Sequence, residues 1–212
     1  MGNKPVAKLR PNELEYFRQR TKFTDAEIQD WYKCFYKDCP SGVLTLDEFK
    51  KIYAQFFPAG DSSIFSEYVF KRFVTNNDKK LSFQDFLIAL SITAKGNIDE
   101  KLDWTFDLYD IDGDGFISKD EMYNIVDSIY KMIGTVIQLP DDESTPQKRT
   151  DKIFSTFDID HDGKLSRDEF IHGAKLDPSI INLLNIERIP TPTANPIRSS
   201  DNTLSSITRL HT

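Results

Sequence analysis

Cysteine and histidine are scarce in this 212-residue sequence: two of the first, Cys34 and Cys39, and three of the second. Two neighbouring cysteines build no disulfide framework and fit a reducing cytosol. They are too few for a zinc site. Long apolar runs are also lacking. The longest, Phe86–Leu90, has five residues, against the ~20 that a spanning helix needs. No signal peptide is expected, because Lys4, Lys8 and Arg10 are not followed by an apolar stretch. No nucleophile–base arrangement, phosphate loop or catalytic metal signature is legible, so an enzyme is not expected. His161, His172 and His211 read as surface residues. With 39% apolar and 29% charged residues, the chain can build a modest core in one or two domains.

The charge is lopsided. Residues 1–96 hold 15 basic and 12 acidic side chains, net +3, whereas residues 97–212 hold 12 and 22, net −10. A basic front half can approach acidic lipid headgroups. An acidic back half repels itself or holds cations.

Many of those acids sit in two loops, Asp110–Glu121 and Asp158–Glu169. Both match D-x-[DN]-x-[DN]-G-x₅-E throughout. Calcium is a hard cation that takes ~6–8 oxygens, and this spacing supplies them. Asp110, Asp112 and Asp114, or Asp158, Asp160 and Asp162, occupy loop positions 1, 3 and 5. The position-6 glycine turns the chain. The backbone carbonyl of Phe116 or Lys164 adds an oxygen, so side-chain type matters little there. Ser118 or Ser166 contributes directly or through water, and Glu121 or Glu169 closes the site with both carboxylate oxygens. The expected load is about two Ca²⁺, with Mg²⁺ in its absence.

Aligning on the position-6 residue reveals four repeats, with 42, 79, 115 and 163 in that slot. Such a period signals repeated helix–loop–helix units. An aliphatic residue recurs at position 8: Leu44, Leu81, Ile117 and Leu165. In paired hands it forms a short antiparallel contact with the neighbouring loop. Apolar residues at helical spacing flank the loops. The expected fold is all-α: four EF-hand helix–loop–helix units in two pairs, with short loop–loop β contacts.

The first two loops are degraded. In Lys37–Glu48 a cation stands at position 1, and Cys39-Pro40 offers a poor donor and a rigid ring. In Val74–Asp85, Val74 gives no side-chain oxygen and Lys79 replaces the glycine, straining the turn. Asn76, Asp78 and the short Asp85 remain. Neither loop is expected to bind calcium at cytosolic levels.

From Met1 to about Asn185 the chain resembles the neuronal calcium sensor family, within it the visinin-like, neurocalcin and hippocalcin branch. The resemblance rests on Trp31-Tyr32-Lys33 before the cysteine–proline loop Lys37-Asp38-Cys39-Pro40-Ser41-Gly42, and on Phe56-Phe57-Pro58. Asp141-Asp142-Glu143-Ser144-Thr145-Pro146, Lys148–Phe154, Gly173-Ala174-Lys175 and Asp177-Pro178-Ser179-Ile180 extend it. Members of this branch usually keep a working second loop, which Val74 and Lys79 break here.

The resemblance implies several further features. Met1-Gly2 fits N-myristoylation at Gly2, although Val6 stands where the motif wants Ser or Thr. Lys4, Lys8 and Arg10 would supply the second membrane signal that one acyl chain needs. Phe23, Trp31, Tyr53, Phe56, Phe83, Phe86 and Leu90 match positions that line an acyl and target groove; from the residues alone they read as plain core. Gly42 and Gly96 match hinge glycines, and Gly96 reads equally as a helix stop.

The expected organisation is a basic arm (1–19), a degenerate EF-hand pair carrying the groove (20–96), a calcium-binding pair (97–185) and a disordered Pro/Ser/Thr-rich tail (186–212). The expected function is calcium sensing in the ~10⁻⁷–10⁻⁵ M range, without catalysis. The expected partner is an amphipathic helix of a kinase, cyclase, receptor or channel. The expected location is cytoplasmic, with peripheral attachment to a membrane surface if acylated. Nucleic acid is not an expected partner. A potassium-channel auxiliary subunit and a passive calcium buffer are the alternatives.

Overall fold

A computed structural model of the chain describes residues 9–74, 79–134 and 140–177. Most of its helices start where a short polar side chain accepts from a free N–H of the first turn. Thr24 opens α2 (Asp25–Asp38), Thr45 opens α3 (Leu46–Phe56) and Ser82 opens α5 (Phe83–Lys95). Asn97 opens α6 (Ile98–Tyr109), Ser118 opens α7 (Lys119–Ile133) and Ser166 opens α9 (Arg167–Leu176). In each, the acid three residues on reaches back to the cap's own N–H and completes a capping box. Pro11 and Pro146 begin α1 (Pro11–Arg20) and α8 (Pro146–Phe157), where a missing N–H costs nothing. α4 spans Ser63–Phe73, and a 3₁₀ turn covers Asp141–Glu143.

Two antiparallel strand pairs join the hands. β1 (Val43–Leu44) pairs with β2 (Leu81–Ser82), setting Leu44 opposite Leu81. β3 (Phe116–Ser118) pairs with β4 (Lys164–Ser166), setting Ile117 opposite Leu165. The four position-8 residues therefore meet in the expected couples, and all four are buried. The fold is the expected all-α one.

Both pairs share one apolar core. α4 packs on α6 and α7, with the rings of Phe73 and Trp104 5.8 Å apart. The α3–α4 link lies against the end of α7: the Asp61 N–H donates to the Lys131 carbonyl at 2.8 Å. A Cβ at Gly60 would come within 2.2 Å of the Met132 carbonyl, so only glycine fits that crossing. Asp107 on α6 pairs with Arg72 of α4 and with Arg167 of α9.

The buried Arg149 guanidinium is matched by Glu143 at 2.8 Å and Asp177 at 3.4 Å. The Tyr130 hydroxyl adds a 2.6 Å bond to the Glu143 carbonyl oxygen. Pairing is what makes such a buried cation tolerable. Among the described residues, no helix is long and apolar enough to cross a membrane.

Candidate metal centres

In the third loop, acids accept from the backbone and curl the chain around themselves. Asp110 Oδ1 takes the N–H groups of Gly113 and Asp114 at 2.8 and 3.1 Å, and Oδ2 takes that of Gly115 at 3.0 Å. Asp112 accepts from Asp114, and Asp114 from Phe116. One oxygen from each of Asp110, Asp112 and Asp114 lies within 4.8 Å of the others. Asp158, Asp160 and Asp162 form the same cluster in the fourth loop.

The closing glutamates span their loops. Glu121 Oε1 accepts from the N–H groups of Ile111 and Asp112, while Oε2 accepts from the Ser118 N–H and hydroxyl. Glu169 repeats this with Ile159, Asp160 and Ser166. Positions 9 and 12 of a loop are thus also the N-cap and N3 of the exiting helix.

These donor sets fit a hard divalent cation. All side-chain donors are oxygens, three carboxylates converge in each loop, and like charges so close favour a counter-cation. Among the described residues, no hydrogen-bond partner meets the buried Asp158 Oδ1, an acceptor still owed a positive partner. Burial pushes the Glu169 carboxyl up, but hydrogen bonds from the Ser166 side chain and backbone outweigh it and hold it below the usual carboxylate range. Asp114 is held low chiefly by a hydrogen bond from the Lys164 ammonium, which is itself shifted upward by that bond.

The first loop is built differently. Its position-7 carbonyl, on Val43, accepts from the Cys39 thiol at 2.7 Å and the Ser41 hydroxyl at 2.8 Å. Side chains at positions 3 and 5 therefore donate to an oxygen that a metal site would leave open. In the second loop, Val74 packs against the core and Lys79 adopts φ +51°. Asp85 bonds with Ser82 in its capping box. Asn76 and Asp78 lie outside the described residues, as do Gly2 and the 186–212 tail.

The expected groove residues fall into two ring clusters. The Trp31 ring lies 6.4 Å from Phe23 and 5.5 Å from Phe86. Phe35 joins Phe83 to Phe86. Tyr53 belongs to a second cluster with Phe49, Phe57 and Phe65. Leu90 is fully buried and Phe56 half-buried. α1 covers the first cluster: Phe17 meets Phe83 edge-on, and the Tyr16 hydroxyl accepts from Gln84 at 2.7 Å.

Gly42 is left-handed at φ +79°, whereas Gly96 has φ −59°. Gly96 is instead demanded by close approach, since a Cβ would lie 2.3 Å from the Ile92 carbonyl. Ion pairs straddle it: Lys95 with Glu27 on one side, Glu100 with Lys22 on the other.

Three arrangements escaped the sequence reading. The cap role of the loop glutamates carried a signal, the S/T-x-x-E/D box before each exiting helix. The thiol–carbonyl bond and the Arg149 network had none.

The family model described as an EF-hand domain pair matches residues 99–175. The chain is 52% identical to neuronal calcium sensor 1 of Aplysia californica over 183 residues, 86% of this chain and 96% of that one. It is 49% identical to neuronal calcium sensor 1 of Lymnaea stagnalis over the same shares. To human recoverin it is 43% identical over 189 residues, covering 88% and 94% of the two chains. With this identity along nearly the whole length of those relatives, the chain belongs to the neuronal calcium sensor family, which includes recoverin.

Proposed function

We propose that this calcium sensor takes up two Ca²⁺, through its third and fourth loops alone, and couples that uptake to an apolar groove in its front half. The observation that supports this is the contrast between loops. Three carboxylates converge in each of the last two; in the first, the Val43 carbonyl is already occupied by a thiol and a hydroxyl. A bound Ca²⁺ supplies two positive charges against the four acids of each loop. Asp110, Asp112, Asp114 and Glu121, with the Phe116 carbonyl and Ser118, would hold one ion. Asp158, Asp160, Asp162 and Glu169, with the Lys164 carbonyl and Ser166, would hold the other; Mg²⁺ would take the same donors when calcium is low.

Glu121 and Glu169 sit in the first turns of α7 and α9, so any shift of their carboxylates reaches the exiting helices directly. α7 and α9 in turn touch the front half through Lys131–Asp61 and the Arg72–Asp107–Arg167 chain. Opening then means moving α1 away from Phe83 and Gln84, which bares Phe23, Trp31, Phe83, Phe86 and Leu90 to an amphipathic target helix. Tyr53 and Phe56 on α3 would form the far wall, and Gly42 and Gly96 the pivots. The basic arm with an acylated Gly2 would place the protein on a membrane surface.

The test is fluorescence of an apolar dye with the full chain in calcium and in chelator, with sedimentation of the acylated chain on liposomes alongside. A calcium-dependent rise in dye fluorescence is expected. An unresponsive dye with normal calcium uptake would make the protein a buffer, since buffers barely open.

A further inference from the structure

The Lys164 ammonium lies 2.9 Å from Asp114 Oδ2, reaching from the fourth loop into the third. It also sits 5.3 Å from the centre of the Phe116 ring, which shelters one side of it. The strand pairing explains the reach. Lys164 stands opposite Ser118 in the β3–β4 ladder, so its stem runs along the third loop. Asp114 is a position-5 acid, and its other oxygen already accepts from the Phe116 N–H. Both of its oxygens are therefore engaged, one by a full positive charge.

The relation is one-sided. The residue at the matching position of the third loop is Phe116, which offers no charge to the fourth loop. The two loops carry the same acids at the same positions, yet only the third receives an ammonium from its neighbour's position 7.

We infer that Lys164 is an internal counter-cation of the third loop, an affinity- and selectivity-setting residue through its side chain. The inference rests on the third loop being a calcium site, as proposed above. Any cation entering that loop competes with the ammonium for Asp114. The third loop is accordingly weaker than its acids alone would make it, and cations of low charge are excluded most. Because Lys164 and Asp114 are 45% and 41% exposed, the effect is modest: about two- to fivefold in the dissociation constant.

The experiment uses the full chain with Glu169→Gln, which leaves the third loop to report. Calorimetric calcium titrations compare it with the same protein carrying Lys164→Gln or Lys164→Arg. At low salt, Lys164→Gln is expected to tighten binding about two- to fivefold, and Lys164→Arg to leave it within error. The gap should shrink at about 0.5 M KCl, where exposed charges are screened. Binding by Lys164→Gln that is unchanged or weaker at low salt overturns the inference, as does equal tightening by Lys164→Arg. Absence of any uptake in the Glu169→Gln protein is a different result: it overturns the reading of the third loop itself, and the inference with it.

Discussion

The Cys39 thiol donates to the Val43 carbonyl oxygen at 2.7 Å, and so occupies the one ligand position of the first loop that a backbone oxygen fills. Lost acids are therefore only part of why this loop is expected to stay metal-free. The backbone is a second part. Position 4 is left-handed in both acid-rich loops, at Gly113 with φ +77° and at His161 with φ +59°. In the first loop that position is Pro40, whose ring fixes φ near about −65°.

Restoring acids alone should then fail. The triple substitution Lys37→Asp, Cys39→Asp and Ser41→Asp is expected to add no calcium ion to the calorimetric stoichiometry. Adding Pro40→Gly to the three should create a site. Gain of an ion by the triple variant without the glycine would remove the backbone from the explanation.

The capping boxes predict a separation of stability from metal binding. Thr45 caps α3 and bonds Glu48, although neither is expected to hold an ion. Thr45→Ala should cost about 1 kcal/mol in chemical denaturation and leave the number of bound calcium ions unchanged. This is a physical reason for a glutamate at position 12 of a loop that has no acid at positions 1, 3 and 5: the helix still needs it.

Lys79 holds φ +51° where the other loops have glycine. A left-handed non-glycine residue costs roughly 1–2 kcal/mol, and glycine's freer unfolded chain takes back about 0.4–1 kcal/mol. Lys79→Gly should raise the denaturation midpoint by an amount worth about 1 kcal/mol or less. It should gain no calcium, because Val74 still stands at position 1. A lower midpoint would mean that Lys79 is not strained.

Glu27 is held down to about 2, first by the Lys95 ammonium and then by the Thr24 N–H. A depressed carboxyl stabilises the fold above its unfolded value, and that contribution is lost as pH falls toward the folded one. The pair is about one-third exposed, at 38% for Glu27 and 35% for Lys95, so its share is at most about 1 kcal/mol. Glu27→Gln, which can still close the capping box, should be less stable than wild type at pH 7. The difference should narrow between about pH 4.5 and pH 2. A gap that stays constant with pH would assign the effect to packing.

Much of this was legible in the sequence because ligand chemistry dictates spacing. Acids at positions 1, 3, 5 and 12 with a glycine at 6 leave few other meanings, and the position-8 aliphatics foretold Leu44 opposite Leu81 and Ile117 opposite Leu165. What escaped depends on side chains meeting across the fold. Lys164 is silent beside its own loop and acquires a role only when β3 and β4 align. The groove residues could not be divided into the Trp31 and Tyr53 clusters from helical spacing, because the division follows from how α2, α3 and α5 pack.

The most direct test is calorimetric titration of the metal-free full chain with calcium, repeated for Glu121→Gln and Glu169→Gln. Two ions are expected for wild type, with one lost in each variant. Three ions for wild type would place calcium in the second loop despite Val74 and Lys79, and would contradict the division into an ion-free front half and a sensing back half.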